Sequence, residues 1–208
     1  MYTPNPQPCS NCINCSCGFA RMSVMPVYAQ PSASYATTQS TAAGLFTPPK
    51  PKTIFFFNRG EPYYEFTNFS LHSVTWEKHT YPTAEHVFQS HKFMGYQASH
   101  IRREIRKASS ARDALGVARK YVSSVRGDWF DVNVQVMEQV IYLKFTQHED
   151  LRRLLLSTGD AVLVEDSPYD AFWGRGSDGK GRNELGKALM RLRDSLRRGY
   201  GNVNGQQY

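Results

Sequence analysis

The stretch Tyr81-Pro82-Thr83-Ala84-Glu85-His86-Val87-Phe88-Gln89-Ser90-His91-Lys92 marks a change of period in this chain. Upstream lie two short β-prone runs. Thr53-Ile-Phe-Phe-Phe-Asn58 is followed by turn-forming Arg59-Gly60-Glu61-Pro62, and Ser73-Val-Thr-Trp76 follows Phe66-Thr67-Asn68-Phe69. From Thr83 onward the apolar spacing becomes helical. Thr83 reads as the cap of a helix carrying Ala84, Val87, Phe88, His91 and Phe93 as far as Met94-Gly95. Further helices are predicted over Ala98–Lys107 and over Ser110–Ser124, the latter with Ala111, Ala114, Leu115, Ala118 and Val122 inward. A fourth opens at Trp129 with Val134, Met137, Ile141 and Phe145 on one face, and a fifth covers Glu149–Ser157. Ala161–Val164 reads as a short strand, and Asn183–Arg198 as the last helix, with Leu185, Leu189 and Leu192 inward. The expected fold class is mainly α, with a minor α+β character: one helical domain with a few short strands.

Within the opening stretch Glu85, Gln89 and Lys92 fall on nearly one helix face. One reading is a solvated face with a weak ion pair. The other is a carboxylate and an amine, partly withdrawn from water, that move each other's pKa toward working values. His86 and His91 stand five apart and so on different faces, unlike a zinc-binding i, i+4 pair.

A second stretch, Ser167-Pro-Tyr-Asp170-Ala-Phe-Trp173-Gly-Arg-Gly-Ser-Asp-Gly-Lys-Gly-Arg-Asn183-Glu-Leu-Gly186, is rich in glycine. Gly174, Gly176 and Gly179 satisfy G-x-G-x-x-G in form, but they follow Trp173 rather than a strand of a βαβ unit. Gly179-Lys180 is followed by Gly181, so there is no Walker-type G-K-[ST]. A flexible loop leading to free amides at a helix N-terminus near Asn183 remains, a setting suited to phosphate or carboxylate. Trp129 and Trp173 each stand at an expected loop–helix junction, where they either pack in the core or stack on a flat heterocycle. Arg102-Arg103, Arg106-Lys107 and Arg119-Lys120 are basic runs of the kind that can contact nucleic acid.

The 208 residues carry 25 Lys+Arg and 18 Asp+Glu, a net +7, and apolar and aromatic contents of 40% and 13% suffice for a packed core. The charge is unevenly placed. Met1–Lys52 contains no Asp or Glu, supplies +3, and holds eight of the 11 prolines and all four cysteines. We read residues 1–52 as a disordered leader, 53–198 as the folded domain and 199–208 as a flexible tail. Cys9, Cys12, Cys15 and Cys17 crowd into one polar stretch without the separation that a zinc module needs. No run reaches the roughly 18 apolar residues of a membrane helix, and the N-terminus lacks a signal-peptide pattern. An intracellular protein, cytoplasmic or nuclear, is expected.

Taken together, several ordered blocks resemble the NADAR family, also called YbiA-like, over roughly Thr53 to Arg198. They are Phe55-Phe56-Phe57, Thr67-Asn68-Phe69, Glu85 through Lys92, Arg126-Gly-Asp-Trp129, Val136-Met137, Lys144-Phe145, Ser167 through Gly174, and Gly181-Arg-Asn183-Glu-Leu-Gly186. Thr67 stands where the family often has Ser, and Ala84 replaces a common Ser. The resemblance implies N-glycoside hydrolysis without metal or cofactor. The implied substrates are phosphorylated ribosylamine intermediates of riboflavin synthesis, or guanine bases carrying ADP-ribose in nucleic acid. It implies Glu85 as the essential glutamate, Lys92 as the amine nucleophile and Asp170 as a third catalytic group. Lys144 also matches a family position. Asn68, Arg126, Trp129, Trp173, Gly174, Asn183 and Gly186 are the implied substrate-binding positions.

The implied partners are therefore a phosphorylated ribosylamine or an ADP-ribosylated nucleobase, with nucleic acid as a carrier of the latter and no membrane. Two other classes compete: a catalytically silent module that binds ADP-ribose or nucleotides, and a general RNA- or DNA-binding protein.

Overall fold

The computed structural model describes residues 50–199. Almost all of the expected leader, with its four cysteines, and of the expected tail fall outside the described residues. Among the described residues the chain is mainly helical, with six α-helices and four short strands in two two-stranded sheets.

Strand β1 (Thr53–Phe56) turns Ile54 and Phe56 inward and leaves Phe55 exposed, the alternation of a half-buried strand. It pairs in parallel with β4 (Val162–Glu165), Thr53 opposite Val162 and Phe56 opposite Glu165. Strands β2 (Val74–Trp76) and β3 (His79–Tyr81) form an antiparallel hairpin. Its two turn residues, Glu77 and Lys78, both have positive φ, 46° and 62°. A two-residue turn of this hand normally calls for Asn or Gly, which is why β3 has no signal in the sequence.

Helix α1 (Ala84–Ser90) is the hub. All seven of its residues are buried, beneath the hairpin, α2 (Ser99–Lys107), α3 (Ala111–Lys120) and α4 (Trp129–Gln147). This overturns the solvated-face reading. The helix is also shorter than predicted: it closes at His91, and Lys92 and Phe93 follow in a turn that runs to Gly95 at φ 82°. Thr83 does not cap it through its side chain. Its Oγ1 instead meets His86 Nδ1 at 2.8 Å. Helix α3 likewise ends early, at Lys120, so Val122 is exposed in a short 3-10 turn rather than inward.

Helix α4 buries Asn133, Val136, Met137, Val140, Ile141, Lys144 and Phe145. The predicted inward Val134 is only half-buried. Val132, Val134 and Val136 alternate at every second residue, so hydropathy alone does not fix the rotation of this helix. Phe56, Phe66 and Phe145 meet in the main core, with centroid separations of 5.7 and 5.8 Å. Phe93, Ile101, Ile105, Ala114 and Ala118 form a smaller cluster between α2 and α3. Helix α5 (Glu149–Ser157) leads into β4, and α6 (Glu184–Arg197) closes the domain against α4 and β4.

Candidate active site

The loop before β2, helix α4 and the turn at Asp170 converge on α1. From the loop before β2, the Asn68 carbonyl accepts from Glu85 N at 3.0 Å and Asn68 Nδ2 contacts Met137 Sδ at 3.2 Å. On α1, Gln89 Nε2 donates to Glu85 Oε1 at 2.7 Å. Both Asn68 Oδ1 and Gln89 Oε1 are buried without a partner. Two unpaired acceptors beside a buried carboxyl group cost about 1–3 kcal/mol each, which a ligand donating hydrogen bonds to them would recover.

Phe88 gathers the aromatic side chains. Trp129, the first residue of α4, packs edge-on to it at 5.2 Å, and Trp173 does so at 5.4 Å. The amine of Lys92 lies 5.4 Å from the Trp129 ring centroid and 6.0 Å from that of Phe88. Trp173 is not at a helix junction. It sits in a turn held by Asp170, whose Oδ1 accepts from Phe172 N and Trp173 N, each at 2.8 Å. Asp170 thus commits one oxygen to shaping the turn.

The electrostatics follow from burial. Glu85 is raised above the ordinary glutamate range because its carboxylate is desolvated. The Gln89 hydrogen bond and the Lys92 charge oppose that shift, and Asp170 adds to it. Lys92 is lowered by desolvation, with Glu85 opposing. A buried carboxyl group shifted up and a neighbouring amine shifted down are moved toward each other, an arrangement suited to proton transfer.

Glu165, absent from the sequence reading, belongs to the same cluster. It ends β4, and burial, then the charges of Asp170 and Glu85, push it up to about 8. The residue as a whole is half-buried, but Oε2 is sealed without a partner. An apolar strand run that ends in a glutamate is the signal that could have found it. The sign of its linkage is fixed by the raised value: stability falls as pH climbs from 4.5 through about 8. Glu165→Gln should therefore melt with wild type at pH 4 and about 2 °C or more above it at pH 9. Equal melting temperatures at pH 9 would remove Glu165 from the cluster.

Other expected positions have structural work. The amides of Asn183, Glu184 and Leu185 are not free: they donate to the carbonyls of Gly174, Phe172 and Trp173 at 3.0, 3.1 and 3.1 Å. Asn183 (φ 52°) accepts from Glu165 N and donates to the Leu163 carbonyl, both at 2.9 Å, clamping the loop to β4. A Cβ at Gly186 would collide with the Leu163 carbonyl oxygen, and one at Gly174 would stand 2.9 Å from the Glu165 oxygen, so both glycines allow close backbone approach. The loop expected to be flexible is a closely bonded buttress. Arg126 spends its guanidinium on Asp128 at 2.5 and 2.7 Å, while its N–H holds the Lys92 carbonyl at 2.9 Å. Lys144, fully buried, donates to Glu65 O, Thr67 O and Ser70 Oγ at 2.5, 2.8 and 2.6 Å. His86 bonds Thr83 Oγ1 and the Ala108 carbonyl, and His91 stacks on Trp76 at 4.0 Å. Burial lowers both histidines, and both serve the core.

The model of the NADAR domain matches residues 55–197, nearly everything that lies between β1 and the end of α6. The chain belongs to the NADAR family. An N-glycosidase of Nostoc punctiforme is 39% identical over 145 residues, spanning 70% of this chain and 93% of that protein. The N-glycosidase YbiA of Escherichia coli is 41% identical over 141 residues, 68% of this chain and 86% of the other. The riboflavin biosynthesis protein PYRR of Zea mays, a chloroplastic protein, is 38% identical over 162 residues, 72% of this chain but 26% of its own length. The solved structure of Escherichia coli YbiA aligns with a TM-score of 0.65 at 38% identity, covering 75% of this chain and 92% of that one. This NADAR domain is an N-glycosidase of the YbiA-like kind. Among the described residues no helix is long and apolar enough to cross a membrane.

Proposed function

We propose that the enzyme cleaves the bond between ribose C1 and the nitrogen of a heterocycle, with Glu85, Lys92 and Asp170 as catalytic groups. The substrate is a phosphorylated ribosyl compound, and of the two family classes we favour a base carrying ADP-ribose over a riboflavin-pathway ribosylamine. The observation that carries the reading is the pairing of a buried Glu85, raised above the ordinary glutamate range by desolvation, with the Lys92 amine against Trp129.

In this mechanism Glu85 protonates the ring oxygen as the sugar opens, leaving a C1=N iminium to the base nitrogen. The neutral amine of Lys92 adds to C1. A proton passes from the Lys92 nitrogen to the base nitrogen, the C1–base bond breaks, and the base leaves with its electron pair. Lys92 now holds C1 as a Schiff base. Water adds to C1 and gives a proton back to the Glu85 carboxylate, the amine departs, and the free sugar closes. Burial of Lys92 supports the first addition, because only the neutral amine is nucleophilic. Trp129 and Trp173 would stack on the base or sugar. The unpaired acceptors on Asn68 and Gln89 would take hydrogen-bond donors from the substrate, and the second oxygen of Asp170 a ribose hydroxyl. Lys144 suits the nucleophile's role less well, since all three of its bonds go to the protein.

Borohydride added during turnover should leave the sugar covalently attached to Lys92, seen by peptide mass mapping, with no adduct in Lys92→Met. Turnover without any trapped adduct would replace this route by direct attack of water activated by Glu85. Side-by-side turnover of an ADP-ribosylated base and a ribosylamino-pyrimidine phosphate decides the substrate class.

A further inference from the structure

The hairpin β2–β3 and helix α2 enclose a cavity of about 350 Å³. Its lining contains Arg102, Arg103 and Arg106, with Trp76 and Tyr81 as aromatic walls and Glu77 as its one carboxylate. Helix α2 buries Ile101 and Ile105 in the smaller core, which turns the arginine face outward. Arg106 lies 6.0 Å over the Tyr81 ring. Among the described residues none of these three arginines has a salt-bridge partner, whereas Arg126, Arg175, Arg191 and Arg197 each meet a carboxylate. Lys78 in the hairpin turn and Lys107 at the end of α2 are exposed and extend the basic face in sequence. Three unpaired guanidiniums around one concavity make an anion site, and arginine's planar fork fits phosphate oxygens.

The cavity's lining includes none of Glu85, Lys92, Asp170, Trp129 or Trp173. What it holds is therefore not the reacting sugar. It is nonetheless linked to that site, since Trp76 stacks on His91, the residue before Lys92. A ligand that carries phosphates at regular intervals is the class of anion that several neighbouring guanidiniums hold best. We propose that this cavity binds the phosphodiester backbone of a single-stranded nucleic acid and so holds a polynucleotide whose modified base enters the site at Glu85. The role given to the entering base rests on the N-glycosidase reading above, and a single strand is favoured because a base in a duplex must first be unpaired and flipped out to reach a buried carboxyl group. The backbone grip itself needs no turnover.

The test uses the full chain and a labelled, unmodified 12-nucleotide single strand, followed by fluorescence anisotropy between 50 and 200 mM salt. Replacing Arg102, Arg103 and Arg106 together by Gln should weaken binding at least about tenfold and reduce the salt slope by about 2, from three lost phosphate contacts. Glu77→Gln, which removes the opposing carboxylate, should tighten binding, so a folding defect in the triple variant cannot imitate the full pattern. Turnover of a small ribosylated substrate should be the same in the triple variant as in wild type. Unchanged affinity and slope in the triple variant would overturn the proposal. So would competition by free ADP-ribose as strong as by the strand, marking a small-molecule pocket, or equal competition by poly-glutamate, marking an acidic protein partner. Absence of turnover on every ribosylated substrate, with arginine-dependent strand binding intact, would overturn the catalytic reading alone.

Discussion

Glu85→Gln is expected to cut turnover by roughly 10²- to 10⁴-fold, the usual loss when a positioned general acid–base is removed, while affinity for the product sugar phosphate changes little. The substitution preserves shape, and Gln89 stays in place on the same helix. What disappears is the titratable proton. Because burial raises Glu85 above its ordinary range, wild-type kcat should carry a limb that falls as pH rises through that raised value, and the variant's residual rate should lack it. Single-turnover assays across pH, with calorimetric titration of product, separate the outcomes. A silent binding module would show no wild-type turnover and the same affinity in both proteins. A variant with normal turnover would end the assignment of Glu85.

Lys144→Met is expected to destabilise the fold by several kcal/mol, at about 1–3 kcal/mol for each buried acceptor left without its donor. The side chain is fully enclosed, and Glu65 O, Thr67 O and Ser70 Oγ would lose their donor together. Urea unfolding reads the loss. Its pH dependence has a definite sign. Burial lowers Lys144 from 10.5 to about 7, so the unfolded chain binds more protons between those values. Wild type therefore gains stability as pH rises from about 7 toward 10.5, and the deficit of the variant widens over that window. A deficit independent of pH would mean the amine is not held below its ordinary value. The lysine also ties residues 65–70, and thus Asn68, to α4, so KM should rise as the loop loosens. The borohydride adduct should still form at Lys92 in this variant, which a nucleophilic Lys144 would not allow.

The helices were legible because apolar residues recur every three to four positions from Ala84 to Leu192, and the main strand β1 because Thr53–Phe56 is an unbroken β-prone run. What could not be read has a common cause: tertiary contacts assign roles that local pattern does not encode. Thr83 has the chemistry of a cap but faces a buried histidine. Glu77-Lys78 makes a turn that its residue types do not advertise. The glycines of the 174–186 loop look like freedom, and two of them instead permit β4 to approach. Glu85, Trp129, Asp170 and Trp173 entered as candidates through the family resemblance, and local pattern alone does not single them out. For Glu165 the sequence offers only a glutamate at the end of an apolar run, and its proximity to Asp170 and Glu85 arises once β4 has docked.

The parallel pairing of β1 with β4 also has a consequence during synthesis. Thr53 must wait for Val162, more than a hundred residues later. At roughly 5–20 residues per second a ribosome needs on the order of ten seconds to supply the partner. Through that interval Thr53-Ile54-Phe55-Phe56 is an unpaired apolar segment with a free edge, the kind that nascent-chain chaperones cover. Premature termination before β4 should thus yield chains that aggregate through their first strand, and the carboxylate cluster becomes complete only when the last quarter of the domain has emerged.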